Sequence, residues 1–120
     1  MFELSVSSIF SSAHRLREYK GKCEELHGHN WKVEVFIEKE KLDKIGLVMD
    51  FKDIKTKLNE ILNDLDHKNL NDLEYFKKHN PTSENIARYV FERLKSKKSI
   101  PLKKVTVWES DTASASYFEK

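Results

Sequence analysis

Cysteine occurs once in the 120 residues, at Cys23, so no internal disulfide can form and a reducing compartment, the cytoplasm, is expected. No stretch approaches the ~18 consecutive apolar residues that a membrane span needs. The N-terminal Met1-Phe2-Glu3-Leu4-Ser5 lacks the basic region, long apolar core and cleavage site of an export signal. Glycine and proline are scarce, at three and two residues, and no repeat, linker or low-complexity tract interrupts the chain. Residues 1–120 are therefore expected to form a single domain. Neither sign of charge dominates: 22 basic against 20 acidic residues leave +2. The lysine-rich spots at 39–44 and 95–98 are broken by Glu40, Asp43 or Ser96 and hold no aromatic residue. They read as solvated loop or helix ends, and no nucleic-acid or membrane partner is expected.

The order of patterns is strand, strand, helix, helix, strand, strand, an α+β arrangement. From Phe2 to His14 the even positions carry Phe2, Leu4, Val6, Phe10 and His14, which is the period of a strand. Ile9 falls out of phase and suggests a bulge. After a polar loop, Arg15 to Leu26, the odd positions His27, His29, Trp31, Val33, Val35 and Ile37 alternate with charged residues in a long second strand. Asp50 is placed to cap a helix whose apolar face is Phe51, Ile54, Leu58, Ile61, Leu62 and Leu65. The segment 66–79 reads as loop. Asn80-Pro81 opens a second helix, with Pro81 near the first turn and Ile86, Tyr89, Val90 and Leu94 as its buried stripe. Val105, Val107 and Glu109 share one face of a third strand, and Ala115 and Tyr117 mark a short fourth after an Asp111-Thr112 turn. Phe36 and Trp108 fall on the face opposite the apolar stripe. With two bare sheet edges, they point to an oligomer.

Histidine is where this pattern carries chemistry. His27-Gly28-His29 on a strand sends two imidazoles to one side, about 7 Å apart along the chain, and Gly28 leaves the other face open for close approach. His14 is in phase with the apolar face of the first strand. If the two strands are neighbours, three imidazoles meet, a set that suits zinc and leaves a fourth tetrahedral position free. Taken singly, each histidine equally fits a satisfied core or surface residue. Cys23, four residues before His27, would either complete a structural zinc site or stand free as a thiolate base or nucleophile. Asp66-His67 fits a proton-transfer dyad as well as a surface acid beside a helix-end histidine. Glu109 occupies an inward phase, where a carboxylate needs a partner. Adjacent N–H donors of a substrate, or a structural Arg or Lys, would serve.

Six segments together resemble the 6-pyruvoyltetrahydropterin synthase family. They are Ser12-Ala13-His14-Arg15-Leu16, Cys23-Glu24-Glu25-Leu26-His27-Gly28-His29-Asn30, Val48-Met49-Asp50-Phe51, Leu65-Asp66-His67-Lys68-Asn69-Leu70-Asn71, Asn80-Pro81-Thr82-Ser83-Glu84-Asn85 and Val107-Trp108-Glu109. The Cys-x₃-His-Gly-His spacing is similar to that of its 6-carboxy-5,6,7,8-tetrahydropterin synthase branch. The resemblance implies a tunnelling fold (ββααββ): an antiparallel four-stranded sheet with two helices on one face, assembling as trimers or hexamers with the active site between subunits. It implies zinc on His14, His27 and His29, and proton transfer by Cys23, Asp66 and His67. Glu109 would bind the pterin, with Thr82 and Ser83 nearby. The implied reaction is a lyase step on 7,8-dihydroneopterin triphosphate, giving 6-carboxytetrahydropterin, acetaldehyde and triphosphate on the route to queuosine and other 7-deazaguanine nucleosides. Glu24 also fits Glu-x₂-His-Gly-His, which resembles a branch that makes 6-hydroxymethyl-7,8-dihydropterin for folate. Pyruvoyltetrahydropterin formation and a non-catalytic, zinc-stabilised pterin-binding module are the further alternatives.

Overall fold

The computed structural model describes residues 1–19, 25–97 and 99–120. Cys23 and Glu24 lie outside the described residues. Two 13-residue strands, β1 (Phe2–His14) and β2 (His27–Lys39), pair antiparallel without a register shift, from Phe2 opposite Lys39 to His14 opposite His27. Two shorter strands, β3 (Leu102–Ser110) and β4 (Ala113–Tyr117), complete an antiparallel sheet in the order β1-β2-β3-β4. Ile9 causes no bulge. It sits in register opposite Lys32 and projects from the outer face, 65 % exposed. The irregularities fall instead between Phe36 and Ile37 and between Trp108 and Ser110.

One face of this sheet is apolar because period 2 sends Phe10, Trp31, Val33, Val35, Ile37, Val105 and Val107 to the same side, all 1 % exposed or less. Helices α1 (Phe51–Asn63) and α3 (Ser83–Lys95) cover that face with Ile54, Leu58, Ile61 and Leu62 and with Ile86, Tyr89, Val90 and Leu94. Asp50 caps α1 as expected, accepting the Lys52 N–H. Phe51 departs from expectation: as the first helical residue it points to solvent, 58 % exposed. Leu65 is buried from the turn beyond α1 rather than from its last turn.

The segment 66–79 is more ordered than a loop. It contains a short 3₁₀ turn, Leu70–Asp72, and a one-turn helix α2, Glu74–Lys78, because Leu70 and Phe76 insert fully into the core. Pro81 likewise stands just outside α3. Thr82 is the cap, its hydroxyl accepting the Asn85 N–H, so the helix begins two residues later than the proline suggests.

Leu58→Ala, which empties a completely buried site beneath the sheet, is expected to cost about 2–5 kcal/mol. Lys55→Ala on the solvent side of α1 should stay within about 0.5 kcal/mol. Urea unfolding of the two variants measures both.

Candidate active site

Register places the site. Because His14 is opposite His27 and both strands keep their phase, the rings of His14, His27 and His29 crowd together at the open end of the core face. Ring centroids lie 4.6 Å apart for His14–His27, 4.7 Å for His27–His29 and 5.2 Å for His14–His29. Trp31 forms the floor, edge-on to His14 at 4.8 Å and to His29 at 5.0 Å. Glu109 reaches the same point from β3, where the register shift between Trp108 and Ser110 takes it out of the β3–β4 ladder. Bulges of this kind re-aim a side chain. Its Oε1 stands 3.3 Å from His29 Nε2 and 3.6 Å from His14 Nε2. Among the described residues no Arg or Lys pairs with it, and its nearest ring nitrogens are those of these two histidines.

Main-chain carbonyls decide which ring nitrogens are free. His14 Nδ1 donates to Pro81 O at 2.7 Å, and His27 Nδ1 donates to Glu25 O at 2.7 Å. A carbonyl only accepts, so in each neutral ring the proton is on Nδ1 and Nε2 carries a lone pair. Yet the two Nε2 atoms face one another at 3.1 Å, and among the described residues the buried His29 Nε2 has no hydrogen-bond partner. Burial pushes the pKa of His14 down, opposed by the Pro81 carbonyl and reinforced by the neighbouring rings. Burial also lowers that of His29, against the pull of Glu109. Both shifts favour the neutral form of His14 and His29, the form a metal ligand requires.

The one ligand atom contributed by each of His14, His27, His29 and Glu109 lies within 4.8 Å of the others. Ligand atoms about 2.0–2.1 Å from a tetrahedral zinc stand about 3.3 Å from one another, close to the 3.1, 3.3 and 3.6 Å separations here. A divalent, borderline cation fits this set. It would neutralise an otherwise repulsive group of lone pairs and a carboxylate.

The Asp66-His67 pair lies beside β1 rather than inside the core. Segment 66–71 runs along the edge of β1 and completes its hydrogen bonding. The His67 N–H donates to Ser11 O and the Ala13 N–H to Lys68 O, and Ala13 forms a parallel bridge with Asn69. Asn71 accepts the Arg15 N–H and donates to Arg15 O, and Asn80 does the same for Arg17. The hydroxyl of the buried Ser12 donates to Leu65 O across the same turn. Asp66 accepts the Ser11 N–H through Oδ1 and lies 2.9 Å from His67 Nδ1 through Oδ2. The Ser11 amide, then His67, hold the Asp66 carboxyl below its ordinary pKa. His67 adopts a left-handed backbone, φ 55°, and its side chain is 82 % exposed. Such a conformation persists only where the surroundings impose it, and here two hydrogen bonds to Ser11 do so.

His67 borders an open cavity of about 520 Å³ that Ser11, Gly28 and Asn30 line from the outer face. A Cβ on Gly28 would meet Ser12 O at 3.7 Å, an ordinary contact, so contacts within this chain do not require the glycine. The Thr82 hydroxyl is occupied by its cap, with Ser83 beginning α3 beside it. Sequence reasoning missed the carbonyls of Pro81 and Glu25 and the floor role of Trp31. Main-chain acceptors carry no residue signature. Trp31, in phase with His27 and His29, was the available signal.

This site sits on a sheet-and-helix subunit that matches known proteins along nearly its whole length. Residues 3–120 match the family model for 6-pyruvoyl tetrahydropterin synthase. The chain is 38 % identical to the 6-carboxy-5,6,7,8-tetrahydropterin synthase of Synechocystis, covering 91 % of this chain and 87 % of that one. It is 39 % identical to the dihydroneopterin monophosphate aldolase of Pyrococcus furiosus, covering 85 % and 84 %. The structure of the Caenorhabditis elegans 6-pyruvoyl tetrahydropterin synthase superposes with a TM-score of 0.89 at 35 % identity, covering 99 % and 96 %. Fold and site thus define a tunnelling-fold enzyme of the tetrahydropterin synthase type. The chain belongs to the 6-pyruvoyl tetrahydropterin synthase family. Among the described residues no helix is long and apolar enough to cross a membrane.

Because the Asp66 pKa is lowered in the folded state, its contribution to stability is complete above the ordinary carboxylate value of about 3.9. It is lost as pH falls through the folded-state value. Asp66→Asn is therefore expected to lower Tm at pH 7, with the difference from the parent shrinking on acidification from pH 6 to pH 2. Thermal melts across that range measure it.

Proposed function

We propose that this enzyme converts 7,8-dihydroneopterin triphosphate and one water to 6-carboxy-5,6,7,8-tetrahydropterin, acetaldehyde and triphosphate, using zinc held by His14, His27 and His29. The observation that carries this reading is the convergence of three imidazoles, two with Nδ1 pinned by carbonyls, in a chain that has Cys23 at Cys-x₃-His-Gly-His. The similarity to the Synechocystis synthase supports the choice of product. Bound zinc would supply Lewis acidity toward the oxygens of the substrate side chain, making the adjacent C–H easier to deprotonate.

The remaining work falls to the chain. Cys23, as a thiolate free of the metal, accepts a proton from the side-chain carbon. Asp66 orients His67 through Nδ1, leaving His67 Nε2 as the nitrogen that gives or takes a proton. Glu109 binds the N–H donors of the pterin, and the start of α3 at Thr82 and Ser83 contacts the ring. His14 is buried on the core side, whereas His29 of the same cluster and the exposed His67 both line the open cavity. We read the site as lying between copies of a homo-oligomer, trimer or hexamer. We assign the enzyme to the cytoplasm and to the synthesis of queuosine and related 7-deazaguanine nucleosides.

A second reading has its own support. Glu24 precedes His27 in Glu-x₂-His-Gly-His, and the Pyrococcus relative is named an aldolase. That reading gives 6-hydroxymethyl-7,8-dihydropterin, with Glu24 replacing Cys23 as base.

Incubation of the zinc-loaded protein with 7,8-dihydroneopterin triphosphate, with products identified by mass spectrometry, separates the two. 6-Carboxytetrahydropterin with acetaldehyde is expected, whereas 6-hydroxymethyl-dihydropterin would replace the first reading by the second. Unchanged substrate despite bound zinc would overturn both. In the first case Cys23→Ala should keep its zinc and lose about 10²–10⁴-fold in kcat. Loss of metal from that variant would make Cys23 a ligand instead of a base.

A further inference from the structure

We propose that the open cavity bordered by His29 and His67 is a polyphosphate subsite. The side-chain amides of Asn30 and Asn69 and the ammonium group of Lys68 bind the triphosphate tail of the substrate there. The proposal rests on the reading of this chain as an enzyme acting on a pterin triphosphate. It deepens that reading by assigning the tail to residues with no part in metal binding or proton transfer.

Hydrogen bonds around the cavity decide what it presents. Ser11, opposite Asn30 in the β1–β2 ladder, donates its hydroxyl to Asn30 Oδ1 at 2.6 Å. Asn69 Oδ1 accepts the Asn71 N–H at 3.1 Å as the cap of the 3₁₀ turn. Each amide commits its oxygen to the protein, which leaves its Nδ2 as a two-proton donor. Lys68 adds an exposed ammonium group, and among the described residues no Asp or Glu lines the cavity. Other cavities that hold basic residues differ in this respect. Those of Lys32, Lys103 and Lys77 each include a carboxylate in the wall, from Asp111, Glu38 and Glu18 respectively. Such a carboxylate repels a polyanion, whereas a wall of donors with one positive charge attracts it.

The three donors stand on backbone that is pinned to β1. Lys68 O accepts the Ala13 N–H, Asn69 forms a parallel bridge with Ala13, and Asn30 pairs with Ser11. Little main-chain ordering is then required when an anion binds. At about 520 Å³ the cavity has the size of small-molecule sites, about 300–1,000 Å³. Gly28 lines it without a side chain to narrow it. Because His29 and His67 border the same space, a substrate whose reacting carbons lie beside those rings keeps its phosphate tail within reach of the donors.

Calorimetric titration of inorganic tripolyphosphate into the zinc-loaded full chain tests the subsite without turnover. Asn69→Asp keeps the oxygen that caps the turn but replaces the donor by a second carboxylate oxygen. Lys68→Gln removes the charge. Each should raise the Kd for tripolyphosphate at least about tenfold, with zinc content unchanged and circular dichroism confirming the fold. Lys55→Gln, the same charge change on α1, should stay within about twofold of the parent. In turnover of 7,8-dihydroneopterin triphosphate, Asn69→Asp and Lys68→Gln should raise KM by a similar factor and leave kcat nearly unchanged. A parent that binds no tripolyphosphate would overturn the proposal. So would equal affinity in the parent and both variants, the result expected of an anion seated on the metal itself. Binding with the expected dependence, in a protein that leaves 7,8-dihydroneopterin triphosphate unchanged, would support the anion site and remove the proposed reaction. Turnover indifferent to both variants would remove the subsite and keep the reaction.

Discussion

The register of β1 against β2 is the constraint on which the rest of this molecule depends. With His14 opposite His27, even positions of one strand and odd positions of the other turn to the same face. Phe10, Trp31, Val33, Val35 and Ile37 then meet the helices while the three histidines meet one another. A slip of one residue would send one strand's histidines to the outer face and bury its charged residues. Twelve residues, 15–26, separate the two strands in the sequence. The register is held by the apolar stripe at one end and, at the other, by segment 66–71 clipped to Ser11, Ala13 and Arg15.

That clip couples fold to chemistry. An edge strand with bare N–H and C=O groups invites pairing with another chain, and segment 66–71 covers the end of β1 nearest the histidines. The bonds that seal the edge also position the dyad: Ser11 N–H goes to Asp66, and Ser11 O receives the His67 N–H. The left-handed backbone at His67 is the cost of joining the end of α1 to this edge, of order 1–3 kcal/mol. Structural demands and the proton-transfer role proposed for Asp66 and His67 fall on the same few atoms.

The histidine cluster shows the complementary economy. It takes its orientation from the main chain, through Pro81 O and Glu25 O, and spends no second side chain on fixing tautomers. Trp31 gives the rings a rigid floor, and its own Nε1 is buried without a partner among the described residues. Such an unsatisfied group is destabilising. Packing three aromatic contacts under the site offsets part of that cost.

Alternation and phase along Phe2–His14, His27–Ile37 and Val105–Glu109 were enough to determine the strands, the buried face and the three histidines as one group. Period 2 is a local property, and it names the face of every side chain as soon as a segment is a strand. Helices α1 and α3 were legible for the same reason at period 3.6, apart from their ends, where Phe51 and Pro81 answer to capping geometry. Only the tertiary structure decided the rest. The run 66–79 looked like loop because Leu70 and Phe76 are too widely spaced to mark a pattern, yet each fills a hole made by distant elements. Glu109 was legible as an inward carboxylate, but its neighbours were not: they depend on a bulge and on β3 lying beside β2. Pro81 and Glu25 act through carbonyls, which every residue possesses. Their role arises from position in space and leaves no mark in residue type.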